Sequence, residues 1–120
     1  MFAPLYEVCA ADVGVQSVLG DPPRLYPFGL APQGVALPYA VFQSITGAPE
    51  NYLGDAPDID SETMQVNVYA DDGDGLKSVL LALRDAIEPH AHITAWGGDG
   101  TDPQTGRRAT SFDVDWWVNR

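Results

Sequence analysis

Cysteine is nearly absent from this chain: Cys9 stands alone, so no internal disulfide can close and no thiolate cluster can hold zinc or an iron–sulfur centre. A reducing compartment is the simplest setting for such a sequence. Basic side chains are scarce too, six against 17 acidic ones, and the formal net charge of -11 disfavours nonspecific contact with a phosphate backbone. It favours basic protein partners, or a surface past which nucleic acid must move without sticking. Nowhere are there 18 consecutive apolar residues, and the N-terminus has no basic segment leading into an apolar run. Neither a membrane span nor a secretory signal is therefore indicated.

Hydrophobic residues nonetheless make up 45% of the 120 positions, enough for one core in one domain spanning 1–120. The stretch 63–87 organises the rest. Met64, Val66 and Val68 alternate with Gln65, Asn67 and Tyr69, the pattern of a strand with one apolar face. After Asp71-Asp72-Gly73-Asp74-Gly75 the spacing changes to Leu76, Val79, Leu80, Leu83 and Ile87, one buried stripe of a helix that Pro89 closes. Asp72 or Asp74 is placed to cap its free N–H groups.

Upstream, Phe2, Leu5, Val8, Cys9, Val13 and Val18 approximate a helical stripe with slippage near Gly14, predicting one helix over 4–19 that ends at Gly20. Cys9 reads as a small core residue of that helix. Residues 24–26 suggest a short strand and 36–46 a longer one. In the latter Leu37, Tyr39 and Val41 point one way, Ala40 and Phe42 the other, so both faces are expected to be covered. The segment 47–62 carries Glu50, Asp55, Asp58, Asp60 and Glu62 with no basic residue, and reads as a long polar loop. A short strand over 91–96, a glycine-rich loop over 97–108 and a last strand over 109–119 complete the order. That strand sets Phe112, Val114, Trp116 and Val118 against Ser111, Asp113, Asp115, Trp117 and Asn119. Trp117 on the polar face suggests contact with another chain or with a second layer of this one. The expected fold is α+β: a mainly antiparallel or mixed sheet with two helices packed on one face.

No constellation compels a chemistry. His90 and His92 are two potential metal ligands without a third. The acidic cluster 71–75 lacks the register and the twelfth-position glutamate of a calcium loop, and Gly97-Gly98-Asp99-Gly100-Thr101-Asp102 is a single copy of a motif that works by stacking. Asp113 and Asp115 share a strand face as an acid–base pair would, but no nucleophile accompanies them. The sequence therefore predicts no catalytic residue, no cofactor and no metal.

A resemblance adds what spacing does not. The runs Leu37-Pro38-Tyr39-Ala40-Val41-Phe42-Gln43-Ser44-Ile45-Thr46-Gly47 and Met64-Gln65-Val66-Asn67-Val68-Tyr69-Ala70-Asp71, the helix after them, and Ser111-Phe112-Asp113-Val114-Asp115-Trp116-Trp117-Val118 resemble the tail-completion, or tail-terminator, family of long-tailed bacteriophages. The resemblance covers almost the whole chain. It implies a structural protein of the virion, assembled in the bacterial cytoplasm. Such a protein closes the head-proximal end of the tail tube as a ring, normally of six copies, and meets the head connector. Its partners would be itself, the tube protein and the connector protein, with DNA only passing through. On this chain Tyr39, Phe42, Glu50, Asp55, Asp58, Asp60 and Trp117 are then candidates for interfaces. Asp71, Asp72, Asp74, Asp113 and Asp115 are candidates for the channel lining. The different class that the acidity allows is an inhibitor that imitates nucleic acid and binds a basic enzyme.

Overall fold

In the computed structural model the chain is described over residues 4–28, 30–52, 55–97, 100–101 and 108–119; for 46–52, 55–60, 101 and 118–119 the description is of the backbone. Three helices, α1 (Leu5–Ala10), α2 (Val13–Leu19) and α3 (Gly73–Ile87), accompany six strands: β1 (Leu25–Pro27), β2 (Tyr39–Tyr52), β3 (Asp55–Ala70), β4 (His92–Trp96), β5 (Gly100–Thr101) and β6 (Arg108–Asn119). The sheet order is β1-β2-β3-β6-β4, with β5 also on β6. Among the described residues only β1 runs parallel to its neighbour, and the other pairings are antiparallel.

The α+β expectation holds, with three helices in place of two. The single helix expected over 4–19 is broken at Asp12, whose extended backbone (φ -90°, ψ 125°) ends α1. Its carboxylate accepts the Val15 N–H at 3.0 Å and so starts α2. Leu5 and Cys9 are buried, as are Val15 and Leu19. Each pair has the i, i+4 spacing of one helix, whereas Cys9 and Val15 are out of phase, and that offset is the slippage visible in the sequence. At the expected place Gly20 ends α2 with φ 91°, a backbone region that a side chain would strain.

The core lies between the helices and one face of the sheet. From β3 come Met64, Val66 and Val68, from β6 Phe112, Val114 and Trp116, and from α3 Leu76, Val79, Leu83 and Ile87, all buried as the periodicities require. Asp72 is the N-cap of α3, accepting the Gly75 N–H at 2.7 Å, so the helix begins one turn earlier than its apolar stripe. On the other face, cross-strand pairs are mostly polar or aromatic. Tyr39 stacks on Tyr69 with ring centroids 5.1 Å apart, the Gln43 amide donates to Gln65 at 3.0 Å, and the Thr63 hydroxyl donates to Asp115 at 2.6 Å. The two-faced covering expected at 36–46 is found at Ala40 and Val41, successive residues that are both buried.

The largest departure from the sequence reading is at 47–62. Instead of a loop, β2 and β3 continue through it as paired strands, Gly47 opposite Glu62 and Tyr52 opposite Asp55, with register shifts between Ser44 and Thr46 and between Glu50 and Tyr52. Polar composition disguised the strands. Their stability here comes from the ladder and from β6, which follows β3 as far as Ile59 opposite Asn119. At about 3.3 Å per step the 16 residues of β3 span about 50 Å when extended, close to the 52 Å length of the molecule.

Candidate assembly surfaces

The sequence candidates fall in three separate places. Glu50, Asp55, Asp58 and Asp60 sit on the β2–β3 arm, at one end of the sheet; their side chains lie outside the described residues. Glu62, expected among them on a loop, is 7% exposed opposite Trp116, because the strand that replaces the loop turns it toward the covered face. Asp71, Asp72 and Asp74 are exposed at the opposite end of β3, where Asp72 is engaged in capping and Asp74 lies in the first turn of α3. Asp113 and Asp115 lie on the sheet face away from the helices, both partly buried, with Asp115 tied to Thr63. They do share a face, as their spacing requires.

Tyr39 and Trp117 are also on that face, toward opposite ends of the sheet, and Trp117 is half-exposed opposite Ser61. Phe42 is on the other face, partly buried against the core. The interface candidates thus do not form one patch. They mark the arm, the helix-free face and the β2 margin.

The chemistry of the remaining candidates is modest. Burial, with the nearby Asp12 charge adding to it, pushes the Cys9 thiol up to about 12, so it stays protonated and packs as a small apolar group. His90 lies in the turn after α3 and His92 opens β4, both exposed. Among the described residues no three His, Cys, Asp or Glu side chains are grouped to hold a metal. Asp99 and Asp102 lie outside the described residues.

One feature escaped the sequence reading altogether. Pro27, Phe28, Phe42, Gln43, Ser44, Glu62 and Met64 enclose a groove of about 270 Å³ along the outer margin of β2. An aromatic residue, Phe28, inside a stretch rich in proline and glycine was the available signal. A second hollow is lined by Gly73, Leu76, Lys77 and Leu80 of α3 and Arg108 of β6.

No curated protein matches the chain. Among solved structures it is similar to a chain of the virion of a native gene transfer agent (GTA) particle, with a TM-score of 0.70 over 97% of this chain and 92% of that one. At 14% identity that likeness concerns the fold. Residues 3–119 match the family described as Tail completion protein gp17. The chain belongs to that family, which gives it a part in phage tail assembly at the head-proximal end of the virion tail.

Proposed function

We propose that the protein, acting as one domain over 1–120, closes the tail tube as a ring of six copies, stops tube growth and presents the surface that meets the head connector. The role is structural and calls for no catalytic residue or cofactor. The observation that carries the ring is the asymmetry of the sheet margins. At one margin β2 runs on past the three-residue β1 into the acidic arm; at the other stand the short strands β4 and β5. Two unlike margins favour head-to-tail contacts, and such contacts generate rings when the rotation closes.

In this reading the arm, with Glu50, Asp55, Asp58 and Asp60, steers docking to a neighbouring subunit or to the tube, while Tyr39, Phe42 and Trp117 contribute contact area. The channel is lined by carboxylates that repel the passing phosphate backbone. Asp71, Asp72 and Asp74 line it if the α3 end of the sheet turns inward; Asp113 and Asp115 line it if the helix-free face does. The two sets are too far apart along the fold to serve equally.

Averaged electron micrographs of tails capped with the purified protein test the ring through its subunit count, and a map of the ring tests the lining. Six copies around a channel edged by either carboxylate set is the expected result. A single subunit bound at the side of the tube would end the ring reading, and a channel edged by neutral or basic groups would end the lining.

A further inference from the structure

Positive charge is rare enough in this chain that its placement is informative. Arg24 donates to the Pro38 carbonyl at 2.9 Å, and Arg84 pairs with its neighbour Asp85. Lys77, the only lysine in the sequence, and Arg108 are both exposed, and among the described residues neither has an ion-pair or hydrogen-bond partner. They meet at the second hollow, a cavity of about 280 Å³ to which Leu76 and Leu80 add an apolar lining. Asp72 nearby is committed to its cap, and Asp71 and Asp74 are exposed without an ion pair to either cation. Those carboxylates oppose a long polyanion such as nucleic acid, so the hollow suits a short segment that brings apolar and acidic side chains together.

The volume falls just below the range of about 300–1,000 Å³ typical of small-molecule sites, which favours protein side chains as occupants. This chain carries the complement itself. No basic residue lies between Arg24 and Lys77, and where β2 passes to β3 the sequence is Glu50-Asn51-Tyr52-Leu53-Gly54-Asp55, two apolar residues between two acids. A chain cannot place its own arm there. Asp55 is the first residue of β3 and Arg108 stands opposite Ala70, the last. The two are about 50 Å apart along the extended strand.

We infer that the hollow between α3 and β6 receives the end of the β2–β3 arm of a second copy, with Lys77 and Arg108 pairing with arm carboxylates while Leu76 and Leu80 take its apolar residues. The inference rests on the ring reading and names the contact that passes from one copy to the next. Arm into hollow is a contact between unlike parts of the same chain, the kind that closes into a ring when the rotation allows. Net charge does not forbid it. At physiological salt the Debye length of about 8 Å screens the repulsion between two chains of net charge -11, whereas pairs in contact inside a partly desolvated hollow are screened much less.

The test uses the full chain on purified tail tubes, with caps counted in averaged micrographs. Lys77→Glu with Arg108→Glu reverses the hollow; Asp55→Lys with Asp58→Lys and Asp60→Lys reverses the arm. Either variant by itself should need at least about tenfold more protein than the parent to form caps of full subunit count. An equimolar mixture of the two should recover to within about threefold of the parent, because alternating copies match every arm with a hollow of opposite charge in an even-numbered ring. Amide spectra establish that each variant is folded; should reversal unfold the hollow variant, Lys77→Gln with Arg108→Gln should show the same loss. Parent-like capping by a folded hollow or arm variant alone overturns the contact and leaves the ring standing. A mixture of folded variants no better than its components also overturns it, and assigns the hollow to the tube protein if the hollow variant alone loses tube binding. A parent that caps as a lone subunit fails the ring reading, and this contact falls with it.

Discussion

Removing the Asp72 carboxylate separates two roles that one acidic residue can play. It accepts the Gly75 N–H at 2.7 Å and its backbone carbonyl accepts the Leu76 N–H at 3.1 Å, so it anchors the first turn of the helix that carries Leu76, Val79, Leu83 and Ile87 into the core. Asp72→Ala loses a cap, at about 1 kcal/mol, and also a negative charge at the positive end of α3, at about 0.5 kcal/mol. Asp72→Ser keeps an acceptor and loses only the charge. For a chain of this size, about 4 °C of melting temperature accompanies each kcal/mol, so Asp72→Ala should melt about 6 °C lower and Asp72→Ser about 2 °C lower. Asp71→Asn changes an exposed residue before the helix and should stay within about 0.5 kcal/mol of the parent. Thermal unfolding followed by far-ultraviolet circular dichroism reads all three. Equal losses for the alanine and serine variants would refute the capping argument, since charge alone would then account for the effect. A confirmed cap also bears on the proposed channel lining, because a carboxylate committed to Gly75 is less available to it than Asp71 or Asp74.

Gly97→Ala should destabilise by about 1–3 kcal/mol, because a Cβ there would overlap the Ser111 hydroxyl and come within 2.9 Å of the Ser111 carbonyl oxygen, which side-chain rotation cannot relieve; faster amide exchange along β4 is the check. Cys9 should resist aromatic disulfide reagents at pH 8 until the protein is unfolded, and labelling of the native protein at the rate of a free thiol would contradict its burial. Since folding raises its value from 9.0 to about 12, the unfolded chain releases the proton first, and stability is lost as pH rises from 9 toward 12. Urea titrations across that range should show a steeper loss for the parent than for Cys9→Ala. Replacing Asp55, Asp58 and Asp60 together by asparagine should slow capping of tail tubes and flatten its salt dependence while leaving the fold intact; unchanged kinetics at low and high salt would remove the arm's steering role.

Much of the fold was legible because burial writes a period into sequence. Met64, Val66 and Val68 could lie only on one strand face, and Leu76, Val79, Leu83 and Ile87 only on one helix stripe. The break at Asp12 was half-legible: the phase slip was visible, but its cause is a side-chain bond to Val15, and spacing does not report bonds. At 47–62 the sequence misled. Strand pairing there is satisfied by backbone groups, which are the same in every residue except proline, so the acidic composition carried no trace of the ladder. For the same reason nothing in the sequence separates Glu62 from a loop residue, and its face is set by its register opposite Trp116. The groove was illegible because its walls come from β1, the segment after it, β2 and β3, brought together only by folding.

Because β3 is one uninterrupted strand, the molecule contains a lever. At full extension the eight steps from Thr63 to Asp55 span about 26 Å, from the pair opposite Thr46 to the end of the arm. A tilt of about 10° at Thr63 displaces the far end by about 4.5 Å, roughly the spacing between neighbouring strands. Thr63 is also where the hydroxyl bond to Asp115 joins β3 to β6. Angular error at that fulcrum is thus magnified into whole-strand misalignment at the tip, and the cross-strand bond holds the point at which small rotations are most costly to accuracy.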